Sequence, residues 1–409
     1  MHSTLIAGVD LGTTKTCAVI AEVHEDSFLR RDLRILGVGQ ARSMGMREVV
    51  THIEEATESV KTAMEEAELM AGAKVDRVYV GISGEHVRAA TSLGVVAVMD
   101  EEISSFDLQR VHEVARAVAH PPDRELLHAI PQDYIVDHGA GIKDPLGMVG
   151  TRLEAEVYLI TGSSSAADSI RKSVQRAGYR VQELVLESLA ASRSVLTEDE
   201  KEVGVAMVEI GACTTNLAAY CNGELRYVAV LPFGGATVTN DLVRGLSVPF
   251  AEAKRAKEHF GVAFAQLVDP QETVELPGPG PGQKRHVARE LIAHVVEQRL
   301  DEMFSLVSAE LDREGLLSKL GAGIVLTGGA STLYGTVELA QQVFAAPVRS
   351  GVPGEGLAGL AESVGRPKFA TVAGLVLYGA DRYEETGDGG STLTSGLVSK
   401  VGSWLKEFF

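Results

Sequence analysis

The fold is decided by the stretch Asp10-Leu11-Gly12-Thr13-Thr14-Lys15. It joins two apolar segments, Leu5–Val9 and Cys17–Val23, whose length and composition predict β-strands. A glycine set among polar residues between two strands is typical of a tight turn. The sequence therefore predicts a polar hairpin within the first strands of the fold.

The residues of this hairpin have the chemistry of a phosphate site. Gly12 lets the backbone approach a phosphate, and successive N–H groups with the Thr13 and Thr14 hydroxyls can donate to its oxygens. Asp10 can hold a magnesium ion through water, and Lys15 can offset phosphate charge. Taken alone, the stretch fits an ordinary polar turn equally well.

A second hairpin repeats the pattern in the other half of the chain. Glu209-Ile210-Gly211-Ala212-Cys213-Thr214 follows the apolar strand Val203–Val208 and precedes the strand Thr215–Cys221. A third element, Gly328-Gly329-Ala330, ends the strand Gly323–Thr327, where glycines can lie flat against a nucleoside; the alternative is a plain strand-to-helix loop. Together they predict a duplicated fold with a nucleotide between its halves. The predicted contacts are Asp10, Gly12, Thr13, Thr14, Lys15, Gly211, Ala212, Cys213, Thr214, Thr215, Gly328, Gly329 and Ala330.

The composition limits the class of protein. The chain has 409 residues, 45% apolar and 23% charged, as in soluble globular proteins, with a formal net charge of -18. This acidity disfavours nucleic acid as a partner and repels the body of the protein from anionic lipid. The odd number of cysteines, Cys17, Cys213 and Cys221, predicts free thiols in a reducing cytosol. The N-terminus does not resemble a signal peptide, and no apolar run approaches the ~20 residues of a membrane-spanning helix.

The order of the predicted elements gives a domain organisation. A helix at Thr51–Met70 and a strand at Val75–Ile82 belong to a first lobe, and a change of rhythm then indicates an inserted αβ subdomain. The predicted divisions are 1–83 (first lobe), 84–162 (inserted subdomain), 163–190 (first lobe, continued), 191–232 (core of a second lobe), 233–320 (its outer subdomain), 321–350 (its adenosine loop), 351–383 (closing helix of the first lobe), 384–396 (linker) and 397–409 (terminal helix).

Three motifs in this order resemble those of the superfamily of actin, sugar kinases and heat-shock ATPases. More closely, the chain is similar along essentially its whole length to the FtsA family of bacterial cell-division proteins, in which an insertion at this position is a hallmark. The matching stretches are Val80-Gly81-Ile82-Ser83-Gly84-Glu85-His86, Leu186-Glu187-Ser188-Leu189-Ala190-Ala191-Ser192, Ile324-Val325-Leu326-Thr327-Gly328-Gly329-Ala330 and Gly402-Ser403-Trp404-Leu405-Lys406-Glu407-Phe408-Phe409.

The resemblance implies an α/β fold of the actin type, which is a duplicated ribonuclease H-like ATPase fold. It also implies binding of ATP and magnesium, and self-association into filaments. The implied partner is the C-terminal peptide of the tubulin-like division protein FtsZ, and its implied docking site is the outer subdomain. The inserted subdomain is implied to supply filament contacts and to bind later division proteins. The implied location is the cytoplasmic face of the cell membrane at the division septum.

The second hairpin departs from the superfamily pattern. That pattern usually begins with Asp, is rich in glycine and ends with another Asp, whereas this chain has Glu209, Ala212-Cys213 and Asn216. Glu209, the candidate catalytic residue, is one methylene longer, and Asn216 removes a charge. Because hydrolysis depends on accurate placement of water, we expect nucleotide binding with slow or negligible turnover.

The last residues predict an amphipathic helix that follows a linker rich in Gly, Ser, Thr and acidic residues. On a helical wheel its large apolar side chains share one arc, and Trp404 is the only tryptophan of the chain. The alternative is a helix that docks on protein; the linker, the terminal position and the resemblance favour lipid. The predicted membrane contacts are Leu397, Val398, Val401, Trp404, Leu405, Phe408 and Phe409.

Two other functions fit the same fold. A pilus-assembly actin-like adaptor would bind a peptide of a membrane partner, and proteins of that group generally lack the amphipathic tail. A small-molecule kinase would need a substrate acid in the cleft, and a chaperone would need a peptide-binding domain. The sequence identifies neither of these features.

Overall fold

The computed structural model describes residues 4–23, 33–118, 121–278 and 282–386, and its strands and helices are numbered here in chain order. The strands are β1 (Thr4–Leu11), β2 (Lys15–Val23), β3 (Leu33–Arg42), β4 (Arg77–Ile82), β5 (Arg88–Ala97), β6 (Arg124–Val136), β7 (Gly139–Ile142), β8 (Arg152–Ser163), β9 (Arg180–Leu186), β10 (Val205–Ile210), β11 (Thr215–Cys221), β12 (Glu224–Leu231), β13 (Thr273–Pro277), β14 (Lys284–Ala288), β15 (Gly323–Thr327), β16 (Val348–Ser350) and β17 (Leu357–Gly359). The α-helices are α1 (Ile53–Ala71), α2 (Ser105–Arg116), α3 (Ser164–Arg176), α4 (Glu187–Val195), α5 (Glu198–Val203), α6 (Gly235–Leu246), α7 (Phe250–Phe260), α8 (Arg289–Arg313), α9 (Thr336–Phe344), α10 (Ala361–Val364) and α11 (Ala370–Thr386).

The first lobe is built on a sheet in the order β17-β3-β2-β1-β4-β9. β1 and β2 pair antiparallel, with Asp10 opposite Cys17, and this forms the predicted hairpin. Helix α1 lies so close to β3 that a Cβ added at Gly39 would be 1.9 Å from the Ala63 carbonyl oxygen. Glycine in β3 is therefore required by helix packing, although glycine weakens the strand signal in the sequence.

The second lobe repeats this plan, which confirms the predicted duplication. Its sheet has the order β12-β11-β10-β15-β16. The antiparallel pair β10–β11 corresponds to β1–β2, and the parallel neighbour β15 corresponds to β4. An apolar core joins this sheet to α6, α7 and α8 of the outer subdomain, with Phe304 and Leu300 among its fully buried members.

The inserted αβ subdomain is also confirmed. It contains a sheet in the order β5-β8-β6-β7, and α2 covers one face of this sheet. A capping box formed by Ser104 and Asp107 starts α2. The subdomain also touches the second lobe, where the Val228 N–H donates to the Tyr158 hydroxyl at 3.2 Å.

The structure extends the sequence prediction at several element ends. The closing helix α11 continues to Thr386, so residues 384–386 of the predicted linker are helical. The β13–β14 hairpin, which the sequence pattern did not indicate, directly precedes α8, which begins at Arg289. Positions 387–396 of the linker and the predicted membrane helix 397–409 lie outside the described residues. Within the described residues, none of the helices combines the length and apolar character needed to cross a membrane.

Candidate functional site

A cavity of about 680 Å³ lies between the two lobes, and both predicted hairpins face it. The third predicted element, which follows β15, closes the same cavity. The predicted residues that line it are Asp10, Gly12, Thr13, Thr14, Lys15, Gly211, Ala212, Thr214, Gly328, Gly329 and Ala330. Segments far apart in the chain are therefore brought to one site.

The two hairpins have the same local geometry. A Cβ at Gly12 would lie 2.9 Å from the Lys15 carbonyl oxygen, and a Cβ at Gly211 would lie 3.0 Å from the Thr214 carbonyl oxygen. A side chain at either position would crowd the turn, because real Cβ contacts are rarely so short. Glycine thus keeps both turns tight.

Asp10 and Lys15 place opposite charges at the first hairpin. The Lys15 ammonium lies 3.8 Å from an Asp10 carboxylate oxygen and 3.2 Å from the Cys17 sulfur, and it also donates to the Lys368 carbonyl oxygen. Burial opposes the charged form of Lys15, but Asp10 and Cys17 outweigh this effect and raise its pKa. Burial raises the pKa of Asp10, and Lys15 offsets part of that change. Lys15 is therefore a fixed positive charge at the cleft.

Two further carboxylates belong to the same site. Glu209 is the penultimate residue of β10, and its carboxylate accepts hydrogen bonds from the Thr371 hydroxyl at 2.5 Å and from Nδ2 of Asn216 at 2.9 Å. Glu187 begins α4 and accepts from the same Nδ2 at 3.2 Å. Burial raises the pKa of Glu209 to about 7. Burial, followed by the charges of Asp10 and Glu209, raises the pKa of Glu187 well above its usual range.

Two of the predicted contacts do not line the cavity. Thr215 is the first residue of β11, and its buried hydroxyl donates to the Phe233 carbonyl oxygen at 2.8 Å instead of facing the cleft. Cys213 lies at the tip of the second hairpin but outside the set of residues that line the cavity. The polar side chains that face the cavity at the second hairpin therefore come from Thr214, Glu209 and Asn216.

The third predicted element, Gly328-Gly329-Ala330, depends on one close backbone approach. Gly328 has a positive φ of 85°, and a Cβ there would lie 2.6 Å from the Ile210 carbonyl oxygen. Lys257 on α7 also lines this cavity, donates to the Gly235 carbonyl oxygen at 2.6 Å, and has its pKa lowered by burial to about 8. Lys257 had no local motif and was missed from the sequence.

The donor set fits a nucleotide with a magnesium ion. Asp10, Glu187 and Glu209 bring carboxylate oxygens, which are the ligands that a hard cation prefers, to the part of the cavity beside Lys15. No three metal-ligating side chains in the described part of the chain are close enough to hold a metal directly. Contact of Asp10 with magnesium through water agrees with this arrangement.

Two homologous lobes around a cleft, each with a hairpin of this kind, define the actin-like ATPase fold. The chain has this fold in common with solved structures of a PilM–PilN type IV pilus biogenesis complex (TM-score 0.64, 17% identity, covering 91% of this chain and 98% of that one) and of MreB5 of Spiroplasma citri bound to ADP (TM-score 0.54, 11% identity, covering 91% and 95%). These identities show the fold alone.

Within this class the chain belongs to the FtsA family of cell division proteins. The family model for cell division protein FtsA matches residues 206–374, and the model for the SHS2 domain inserted in FtsA matches residues 84–161. The FtsA of Pseudomonas aeruginosa is 42% identical over 393 residues, which cover 96% of this chain and 92% of that protein. The FtsA of Escherichia coli K12 is 36% identical over 411 residues, covering 98% and 96%.

Proposed function

We propose that the cleft binds ATP with magnesium, and that the protein polymerises and tethers FtsZ filaments to the inner face of the cytoplasmic membrane at the septum. One observation carries the nucleotide part: two matching hairpins line the same cavity between the lobes. The solved MreB5 structures, which share the fold, contain ADP or AMPPNP. Equilibrium binding of a fluorescent ATP analogue tests this proposal, and failure to bind in the presence of magnesium would overturn it.

Each part of the nucleotide has a matching surface in the cleft. The backbone N–H groups of both hairpins, with Thr13, Thr14 and Thr214, would donate to the phosphates, and Lys15 would neutralise their charge. Asp10 would hold magnesium through water. The metal would supply charge neutralisation between the phosphates and the carboxylates. Gly328, Gly329 and Ala330 would face the nucleoside.

Turnover is proposed to be slow. Glu209 is the candidate to orient an attacking water, but its carboxylate is already engaged by Thr371 and Asn216. Reorienting Glu209 toward water would break two hydrogen bonds in a buried setting, which slows the step. A phosphate-release assay on the purified chain checks this, and rapid multiple turnover would contradict slow hydrolysis without contradicting ATP binding.

The buried acids give ATP binding a pH dependence. With a pKa of about 7, Glu209 is partly protonated at neutral pH when the cleft is empty. A magnesium–nucleotide complex favours the ionised carboxylate, so binding releases a proton and the affinity increases as the pH rises through 7. The stability of the protein with an empty cleft changes with pH in the opposite direction. Its folded state retains protons that the unfolded chain loses near pH 4.5, so these acids reduce stability as the pH rises from there toward 7.

We therefore expect the affinity for magnesium–ATP to rise about tenfold between about pH 6 and pH 8. Glu209→Gln should flatten this rise, because the glutamine does not titrate. Isothermal titration calorimetry in buffers of different ionisation enthalpy measures both the affinity and the proton release. A wild-type affinity that is constant over this range would contradict the prediction.

Membrane attachment is proposed for the terminal segment 397–409. A few large side chains contribute about 1.5–3 kcal/mol each when fully buried, and ordering the helix subtracts from this. One tail should therefore bind weakly, and the acidic body opposes approach to anionic lipid. Filament formation would join many weak anchors into one strong attachment through effective concentration. MamK, which shares the fold, forms a double helical filament.

The proposed partners follow the family. The FtsZ C-terminal peptide would dock on the outer subdomain at 233–320, and later division proteins would bind the inserted subdomain. The pilus-adaptor alternative is less well supported, because likeness to PilM is at 17% identity while FtsA relatives match nearly the whole chain. The result of liposome binding separates these two functions.

A further inference from the structure

Asn216 connects the two lobes at the floor of the cleft. It lies on β11 of the second lobe, and its Oδ1 accepts a hydrogen bond of 2.6 Å from the hydroxyl of Ser83 in the first lobe. Its Nδ2 donates to Oε2 of Glu209 at 2.9 Å and to Oε2 of Glu187 at 3.2 Å. Asn216 and Glu209 are both buried, so this network is shielded from water.

The direction of the Asn216 amide is fixed by its neighbours. The amide NH₂ supplies two donors for oxygens of Glu187 and Glu209, which leaves Oδ1 to accept from the Ser83 hydroxyl. An aspartate of the same shape would lose both donors and add a third carboxylate to the pair. The Asn216 amide therefore orients Glu187 and Glu209 through its Nδ2 and contacts Ser83 of the first lobe through its Oδ1.

Ser83 is the last residue before the inserted subdomain. The root of this subdomain, which comprises residues 84–90, the start of β6 and the end of β8, is held together by contacts to His86. The guanidinium of Arg124, at the start of β6, donates to the His86 carbonyl oxygen at 2.8 Å. The N–H of Ser163, at the end of β8, donates to Nδ1 of His86 at 3.2 Å. Gly84 has a positive φ of 140°, and a Cβ there would lie 3.0 Å from the His86 ring. Because these contacts surround His86, a displacement of Ser83 would also displace the start of β6 and the end of β8.

We propose that Asn216 is a positioning residue that couples occupancy of the cleft to the root of the inserted subdomain through Ser83. The inference rests on the proposed nucleotide function. A ligand that holds the lobes together maintains the contact between Asn216 and Ser83, and opening of the empty cleft breaks it because the two residues lie on opposite lobes. The nucleotide state then alters the stability of the root. The inserted subdomain, which is the proposed binding surface for later division proteins, is attached to the first lobe at this root.

Hydrogen–deuterium exchange of the full chain, with and without magnesium–ATP, tests this coupling. In the wild type, ATP should slow exchange at both hairpins and, by about tenfold, at residues 84–90 and the end of β8. Ser83→Ala should keep the protection of the hairpins and lose that of the root, whereas Ser83→Thr, which retains the hydroxyl, should keep both. Asn216→Asp should lose root protection and bind ATP about tenfold more weakly, because both amide hydrogen bonds to Glu187 and Glu209 are lost.

Ser92→Ala is the matched control. The Ser92 hydroxyl is buried within the inserted subdomain, where it donates to the Ala115 carbonyl oxygen at 2.8 Å, away from the cleft. This variant should retain ATP-dependent protection of the root. Root protection that survives in Ser83→Ala, or that is lost equally in Ser92→Ala, would overturn the coupling. Absence of ATP protection at the wild-type hairpins would instead overturn the proposed nucleotide function.

Discussion

Asp10→Asn is expected to weaken magnesium–ATP binding by roughly 30- to 100-fold, with little loss when magnesium is absent. Asp10 is buried at the end of β1 and faces the cavity, 3.8 Å from the Lys15 ammonium. The amide keeps the shape of the carboxylate but removes the charge that would hold the water bound to the metal. The expected size follows because a hydrogen bond to a charged group is worth about 1.5–3 kcal/mol. Equilibrium titration with a fluorescent ATP analogue, in magnesium and in EDTA, measures the change.

Asp133→Asn provides the matched control for this prediction. Asp133 lies in the inserted subdomain, where it pairs with Lys143 at 3.2 Å and with Arg226 at 3.3 Å. Asp133→Asn makes the same change from carboxylate to amide, but in a partly buried ion pair outside the cleft. Its magnesium–ATP affinity should equal that of the wild type. If Asp10→Asn binds within about threefold of the wild type, Asp10 is not the metal-holding group.

Trp404→Glu is expected to reduce binding to liposomes at least tenfold while leaving ATP affinity unchanged. The tryptophan belongs to the apolar arc predicted for 397–409, and full burial of a large apolar side chain contributes about 1.5–3 kcal/mol. A carboxylate at this position also carries charge into the apolar layer. Truncation after Gly396 should have the same effect. Co-sedimentation with vesicles of mixed neutral and anionic lipid gives the bound fraction.

Ser403→Glu is the control for the tail. It introduces the same carboxylate one residue earlier, on the polar side of the predicted helix, so it changes the charge equally without entering the apolar arc. Its binding to liposomes should fall much less than that of Trp404→Glu. Equal losses in the two variants would indicate that charge, and not the apolar face, determines attachment.

The sequence predicted the hairpins because their signal is local. An acid, a glycine and two threonines within a few residues, repeated after another apolar strand, were enough to place Asp10, Gly12, Gly211 and Thr214 at one cavity. The same pattern included Thr215, because residue types alone do not show that the first side chain of β11 turns inward to Phe233.

The rest of the site depends on contacts between distant segments. Glu187, Ser83 and Asn216 meet only because α4, the end of β4 and β11 converge below the cavity. Similarly, β3 was missed because its glycines weaken the strand pattern, although they are required where α1 approaches. Such positions become visible only with the fold in place.

The central claim is that nucleotide binding in the cleft drives an assembly that makes weak tails bind membrane strongly. Co-sedimentation of the full chain with liposomes, across a range of protein concentrations with and without magnesium–ATP, tests it most directly. We predict little binding without nucleotide, a steep increase above a threshold concentration with ATP, and FtsZ that pellets only when this chain is bound. Strong binding that is independent of both ATP and protein concentration would contradict the claim.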